Sequence, residues 1–552
     1  HLPIEERYDL VVVGGGISGL SAAYFYRKAH PSARILILDN HDDFGGHAKR
    51  NEFIVNGRRL VGYGGSESLQ SPNADFSPVV KKLMRELGVD VKRFETAFER
   101  GFYPKLRLSR AVFLPSENFG RDTLVTGDPT MMVADDLTPE LLNAKPIQEF
   151  VAGFPLSDKG KAELLSLYEQ NIDPLAGKTA ENKIKTLKTT SYREYLLKIC
   201  GVGDAVANCF QGRTLDYFAL GCDAVSAYDA YKTNYPGFAG LGLPKASNPD
   251  ADEPYIYHFP DGNASIARLL VRALVPGVAP GRTMEDIVQA KFDYAKLDLP
   301  KNRVRVRLDS ICIGVRQTAK RVDLGYVRKG RLHRVTADHA VLACFNMIIP
   351  HLMPDLPEPQ REALARNVKA PLVYTNVAVR NWEAWAKLGV HEISAPMSFH
   401  CRLKLDYPVD LGGYRHPRKP TDPMCLHLVH VPGDPNKGHD ARDQFRIGRQ
   451  KLLDMSFAQL ETHIRADLDR MLGHGGFSSA RDIAAITVNR WSHGYAYSAN
   501  SLFDGEDADA TMELARRPAG RVTIANSDSQ WSAYAHSAID AAERAVRELS
   551  KG

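Results

Sequence analysis

Apolar and polar positions change period several times along the chain, and the first change comes within thirty residues. Tyr8 to Val13 (YDLVVV) is a short run rich in β-branched residues, which predicts a buried strand. From Ile17 to Arg27 small and apolar residues recur at helical spacing. Arg34 to Leu38 (RILIL) then predicts a second strand, ending at Asp39. Ser77-Pro78 opens a helix with Val79, Val80, Leu83, Met84 and Leu87 on one face and Gly88 as its stop. Residues from about 90 to 280 read as mixed and mostly helical, rich in aromatics, with no repeat. Val304 to Val315 and Arg331 to Val341 alternate as exposed strands do, and HAVLACF reads as a buried strand ending at Phe345. After a Pro-rich stretch (Met347 to Pro359), Leu372 to Val379 predicts another strand. Strand character returns in IAAITVNRW from Ile483 and in RVTIANSDSQW. A helix from about Tyr534 closes the pattern, with Ala535, Ala538, Ile539, Ala542, Val546 and Leu549 on its apolar face.

Between the first strand and helix, Gly14, Gly16 and Gly19 form G-x-G-x-x-G. The first glycine allows a tight turn, the second lets a pyrophosphate reach the backbone, and the third lets helix and strand pack closely. The helix N-terminus then offers free N–H groups and a positive dipole end to phosphate. Asp39 lies twenty residues past Gly19, where a carboxylate would meet a ribose hydroxyl. Strand, glycine turn, helix, strand and acid in this order imply a dinucleotide site. Gly45-Gly46 and Gly64-Gly65 follow closely and suit more backbone wrapped around an extended ligand.

Composition narrows this little. The chain has 552 residues, 44% hydrophobic and 25% charged, and its 71 basic and 66 acidic residues leave a formal charge of +5. That small surplus, with no basic tract, gives no sign of nucleic acid binding. No run of eighteen apolar residues suggests a membrane span. Seven scattered cysteines form no C-x-x-C pair, which argues against a zinc site, a disulfide scaffold or covalent c-type haem. The opening HLPIEERYDLV is neither an initiator methionine nor a signal peptide, so a processed N-terminus is an expectation.

The run WSAYAHSAIDAAERAVREL (Trp531 to Leu549) resembles the last flavin-contacting segment of the monoamine and polyamine oxidases. GGGISGL and FGGH resemble the same family's flavin signature, and FPDGNASIARLL (Phe259 to Leu270) its second glycine turn and helix. Within that flavin-containing amine oxidase superfamily the chain most resembles the bacterial spermidine dehydrogenase group, whose known members use FAD and also bind haem b. The resemblance implies an α/β fold: a discontinuous, glutathione-reductase-type Rossmann-like FAD domain (1–75, 255–348 and 478–552) with a mixed α+β substrate domain (76–254 and 349–477). It places Gly14, Gly16, Ser18 and Gly19 at the pyrophosphate and Asp39 with Asn40 at the adenosine ribose. Gly45, Gly46 and His47 fall on the flavin side, Gly64, Gly65 and Ser66 are further expected cofactor contacts, and Asp528 falls beside the ribityl and phosphate groups. Ala533 and Tyr534 complete the expected cofactor contacts. Tyr534 matches one wall of an amine-aligning aromatic cage. The other wall falls within NRWSHGYAY, on Tyr495 or Tyr497, with Trp491 nearby. No cysteine lies in that segment, so FAD is expected to be bound non-covalently. Many relatives hold a water near the flavin with a lysine; here Lys369 lies just upstream of the strand LVYTNVAV, and its role is left open.

The activity implied is oxidation of a polyamine, foremost spermidine, to an imine that hydrolyses to 1,3-diaminopropane and 4-aminobutanal. No side chain accepts a hydride, so the flavin must carry that chemistry. Electrons would leave through haem b to an external quinone or cytochrome, in a periplasmic protein compatible with a homodimer. The haem ligand is not assigned: His258, His400, His427, His430, His493 and His536 are all candidates, and His427 and His430, three apart on a strand, would face opposite sides. Glu67, Asp216, Asp229 and Glu253 are candidate partners for distal ammonium groups. The alternatives are an isoprenoid desaturase or porphyrinogen oxidase on the same scaffold, or a flavin- or haem-holding polyamine-binding protein without turnover.

Overall fold

The first apolar run is continuous because its strand is covered on both faces. The computed structural model describes residues 3–169, 172–244, 248–505 and 507–550; residues 1–2, 506 and 551–552, which fall in the expected dinucleotide domain, and 170–171 and 245–247 lie outside them. In β1 (Glu6–Val13), Leu10 and Val12 point into one hydrophobic cluster and Val11 and Val13 into another. Helix α1 (Ile17–Ala29) leads to β2 (Ile35–Leu38), where Ile35 and Ile37 join the first cluster and Leu36 and Leu38 the second. A hairpin of β3 (Arg50–Val55) and β4 (Arg58–Tyr63) follows. Helix α2 (Pro78–Glu86) starts where the sequence predicts, its first turn capped by Ser77 Oγ, which accepts from the Val80 N–H at 3.2 Å. Beyond β5 (Ser109–Leu114) and β6 (Thr123–Thr126), short helices dominate up to α3 (Ala264–Leu274).

Four strands come next: β7 (Val304–Arg307), β8 (Ser310–Gln317), β9 (Val322–Arg328) and β10 (Arg331–Leu342). The sequence pattern predicts one exposed strand over Val304 to Val315. Instead Asp309, at φ +52°, breaks the run, and all four residues of β7 are buried. The alternate arginines are ion-paired rather than solvated: Arg305 Nε lies 2.6 Å from Asp298, and Arg307 reaches Asp298 and Glu6, both at 2.8 Å. The HAVLACF strand also stops early, at Leu342, where the backbone passes directly over Gly14.

The remaining strands are β11 (Ala370–Val379), β12 (Val390–Ser394), β13 (Arg402–Leu405), β14 (Met424–His430), β15 (Ile483–Tyr495) and β16 (Val522–Ile524), before α4 (Ala535–Leu549) ends the chain. One seven-stranded sheet runs β7-β2-β1-β10-β9-β8. Its strands β7, β2, β1 and β10 are parallel, and β16 pairs in parallel with the last residues of β10. Helices α1, α3 and α4 cover one face, with α1 packed against both others. The second sheet runs β15-β11-β14-β13-β12-β5-β6, antiparallel apart from the β12–β5 pair. The β3–β4 hairpin packs on β11, β14 and β15 of the second sheet. Gly62 has no room for a methyl, which would sit 2.8 Å from Asn376 Oδ1 on β11.

Four of the buried histidines, His258, His391, His416 and His430, have their charged form opposed by that burial. Burial, in each case the leading cause, pulls their pKa values down to about 3 or 4. Between pH 6.5 and about 4 the unfolded chain binds protons that the folded chain refuses, so stability must fall with pH in that window. Each histidine contributes a slope of about 1.4 kcal/mol per pH unit, and none above 6.5. Urea unfolding at pH 7, 6 and 5 measures this; equal stability at pH 6 and 5 would refute it.

Candidate active site

The crest of the parallel sheet is built from bare backbone. Gly14 has φ +111°, and an added methyl there would meet the Ala343 carbonyl oxygen at 2.5 Å. Asp39, at the end of β2, accepts from the Gly15 N–H at 2.6 Å and from the His41 N–H at 2.8 Å. Burial pushes its pKa up, and these two N–H groups pull against that. The second glycine turn docks on the first: the Gly45 N–H donates to the Gly15 carbonyl at 2.8 Å. A methyl on Gly16 would touch only the backbone of Gly45 and Gly46, at 3.8–3.9 Å. Two turns without side chains, a carboxylate at the strand end and a helix N-terminus make a donor set that fits a dinucleotide. Ser18 Oγ is engaged structurally, accepting from the Asn526 N–H at 2.8 Å, which ties α1 to the segment after β16. Asn40 is exposed beside Asp39.

Beyond the crest, His47, Phe345 and His493 stack in near-parallel planes, with centroids 6.1 Å and 4.9 Å apart. His47 Nε2 lies 2.7 Å from the His493 carbonyl, and Trp491 packs edge-on against His47 while its N–H donates to the Gly64 carbonyl at 2.6 Å. Burial, reinforced by Lys369, holds the His47 pKa down at about 3, so the ring is neutral in ordinary buffers. Gly65 is forced by the same contact, since a methyl would sit 2.3 Å from the His47 carbonyl oxygen; Ser66 donates its N–H to that oxygen at 2.7 Å.

Lys369, left open by the sequence, is 1% exposed, and its Nζ lies 2.5 Å from Asp528 Oδ1. Asp528 Oδ2 accepts from the Asn346 N–H at 3.1 Å. The Asn346 side-chain amide is buried with no protein partner on either atom, leaving a donor and an acceptor for a bound polar chain. Phe345 and Asn346 escaped the sequence reading because no periodic or motif signal marks a strand-to-turn junction.

A cavity of about 1000 Å³ lies between the second sheet and the helical region. Tyr374 and Tyr495 share a hydroxyl contact of 3.0 Å, and the Tyr495 hydroxyl donates to the Asp216 carbonyl at 3.3 Å. The Tyr534 hydroxyl, at the N-cap of α4, lies 3.5 Å from that of Tyr217, and Ala533 joins the same wall. Between the two tyrosines of NRWSHGYAY the geometry separates sharply. Tyr497 donates its hydroxyl to Asp504 at 2.6 Å, carries Arg442 over its ring at 3.9 Å and is 1% exposed. Both tyrosines line the cavity, but the Tyr495 hydroxyl meets Tyr374 and Asp216 there, whereas that of Tyr497 is tied to Asp504. Trp491 faces the glycine turns rather than the cavity.

Three of the four candidate acids reach the cavity wall: Glu67, Asp216 and Asp229. Glu67 pairs with Lys404 at 2.7 Å, and Asp229 accepts from the Ser226 hydroxyl at 2.7 Å. Asp216 and Glu392 share Arg402, at 2.5 Å and 2.6 Å. Behind Glu392, Arg110 binds Asp135 and Asp136, so four carboxylates meet two guanidiniums along this wall. Burial raises the Asp136 pKa to about 6, with Arg110 opposing and Asp135 reinforcing. Glu253 instead holds the Asn73 side chain and the Ala74 N–H, away from the cavity.

The candidate haem histidines are held in packing and ion-pair contacts. Among the described residues none lines either the large cavity or a smaller hollow of about 410 Å³ beside Arg268. His400 pairs with Asp467 at 2.7 Å and His427 with Asp406 at 2.8 Å, while His430 stacks on Phe399 at 3.7 Å. His258 contacts the Tyr255 carbonyl, and His536 stacks on Tyr534 at 5.3 Å. Nor do any three His, Cys, Asp or Glu side chains group to hold a metal ion among those residues. No helix among them is long and apolar enough to cross a membrane.

A dinucleotide-type crest joined to an aromatic, acid-lined cavity defines a two-part flavoprotein architecture. Residues 12–87 match the model of NAD(P)-binding Rossmann-like domains, and residues 295–550 match that of flavin containing amine oxidoreductases. Residues 295–550, a little under half of the chain, thus carry the flavin containing amine oxidoreductase family's domain. The fold is similar to that of a putrescine oxidase solved with putrescine (14% identical, 99% of each chain covered, TM-score 0.54). It is also similar to cyclohexylamine oxidase from Brevibacterium oxydans IH-35A (15%, 99% of each chain, TM-score 0.53). An Exiguobacterium sp. 255-15 protein named as a candidate protoporphyrinogen oxidase gives 13% identity, 99% of each chain and a TM-score of 0.58. No curated protein sequence matches the chain.

The Lys369–Asp528 pair is buried on both sides, so removing one partner strands the other charge. Lys369→Met and Asp528→Asn are each expected to cost about 3–5 kcal/mol in urea unfolding, and the double variant less than their sum. Additive costs would show that the two side chains do not act as a pair.

Proposed function

We propose that the protein oxidises a polyamine, with spermidine the leading substrate, using non-covalently bound FAD and passing electrons to an external acceptor. The observation that carries this is the cavity wall on which Asp216 and Glu392 share the single guanidinium of Arg402 beside Tyr495. A surplus of carboxylate next to tyrosine faces suits an alkyl chain bearing more than one ammonium group. The same surplus opposes an anionic porphyrinogen, and an isoprenoid would bring no charge to balance two carboxylates that share one guanidinium. The putrescine oxidase with the same fold, solved with a diamine bound, supports the reading.

FAD, when bound, supplies the two-electron acceptor that no side chain can provide. Gly14, Gly16, Ser18, Gly19 and Asp39 would hold its adenosine diphosphate half, and His47, Asn346 and Asp528 its flavin half. The protein's own part is to exclude water and to orient the carbon beside nitrogen. Tyr495 and Tyr534 offer neutral faces, since burial raises the Tyr495 phenol well above its ordinary pKa and Tyr495 gives the amine no charge to pair with. The remote ammonium group binds towards Asp216, which fixes the direction of the chain. The imine product hydrolyses to an aldehyde and a shorter amine. Among the described residues no candidate histidine lines the large cavity or the smaller hollow, and the acceptor proposed here is external to the chain.

Anaerobic addition of spermidine to the FAD-loaded protein is expected to bleach the flavin's visible absorption, with putrescine acting more weakly. A flavin that stays oxidised with both amines would overturn the amine reading. Asp216→Asn is expected to raise the KM for spermidine about tenfold, with a smaller effect on a simple alkylamine. An equal loss for both would remove Asp216 from the recognition of the second cation.

A further inference from the structure

Strand β13 sends two cations toward the cavity from one face. Arg402 and Lys404 are two residues apart and so project together, while Leu403 and Leu405 enter the hydrophobic core on the other side. The two cations are held differently. Arg402 is shared between two carboxylates, whereas Lys404 has one, Glu67, at 2.7 Å. Its ammonium also sits 3.4 Å from the centroid of the Tyr407 ring and 5.6 Å from that of Tyr63. A carboxylate and two aromatic faces around one primary ammonium make a cation box of the kind that binds free alkylammonium ions. The box abuts the cavity, because Glu67 lines the cavity while the Lys404 side chain behind it is only 5% exposed.

We propose that Lys404 is a built-in ammonium that occupies a cation subsite, closing Glu67 to the substrate and leaving the Asp216 end as the place where a remote ammonium group binds. This inference rests on the amine reading of the cavity. It makes Lys404 a specificity-determining residue that sets how long a polyamine the cavity favours. With Lys404 in place, one carboxylate end of the cavity is satisfied by the protein itself. Without it, Glu67 and Tyr407 would accept the far end of a longer chain.

The subsite can be tested by replacing the missing atoms. Lys404→Ala removes four atoms, which n-propylammonium restores as a separate ion. Thermal unfolding of the FAD-loaded Lys404→Ala protein is expected to shift upward with n-propylammonium but not with n-propanol, a neutral molecule of similar shape. The shift should vanish in the Lys404→Ala/Glu67→Gln double variant. In turnover, Lys404→Ala should lower the KM for spermine relative to putrescine by about tenfold, the worth of one charge-assisted hydrogen bond with its ring contacts. An equal response to propanol would show simple cavity filling and overturn the proposal, as would a response no larger than that of the unmodified protein. Should Lys404→Ala fail to accumulate folded, the yield of soluble protein with n-propylammonium, with n-propanol and with neither separates the same outcomes. Should the unmodified protein prove inert to every amine while the propylammonium rescue holds, the amine-oxidation reading falls and the ammonium subsite stands.

Discussion

Helix α1 lies so close to β1 that a methyl group on Gly19 would sit 1.8 Å from the Gly14 carbonyl oxygen. That approach of backbone to backbone is the constraint on which the crest depends. It brings the helix N-terminus to the sheet's edge and sets Asp39 against Gly15. It also leaves room for β10 to turn over Gly14 and for β16 to join the sheet, with Asn526 tied back to Ser18. Any side chain at these glycines would open the crest before a cofactor could reach it.

Charge in a dry interior is the second organising element. Lys369–Asp528 at the crest, and Glu67–Lys404 with Asp216–Arg402–Glu392 at the cavity, are pairs that cost about as much to desolvate as they return. Their value is geometric: each fixes a long side chain in one place. Where the acids outnumber the cations, the same arrangement leaves an excess of negative charge on the cavity wall. Where a lysine fills a carboxylate-aromatic box, the protein supplies the cation itself.

The crest was largely legible in the sequence because local backbone geometry dictates it. G-x-G-x-x-G, the following acid and the N-cap at Ser77 are requirements that one short segment imposes on itself. The cavity was legible only in residue type. Tyr495 and Tyr497 lie two apart on the chain, and pairing of the β15 strand with β11 brings Tyr495 to Tyr374 while Tyr497, just past the strand, lies beside Asp504 and Arg442. Likewise, the arginines of Val304 to Val315 read as solvent-facing because their partners, Glu6 and Asp298, come from other segments. Asn346 and Lys369 gave no motif at all, and they matter because β10, β11 and the segment after β16 end at one point.

From the sequence alone came the glycine crest with its acid, the buried character of β1 and the match of residues 295–550 to the flavin containing amine oxidoreductases, since each is written in residue types at fixed spacing along the chain. The tertiary structure alone decided which tyrosine hydroxyl is tied to Asp504, which acids are already ion-paired and which carboxylates Lys369 and Lys404 meet. Those outcomes depend on which distant segments meet and on how few charges a water-poor space can leave unpaired.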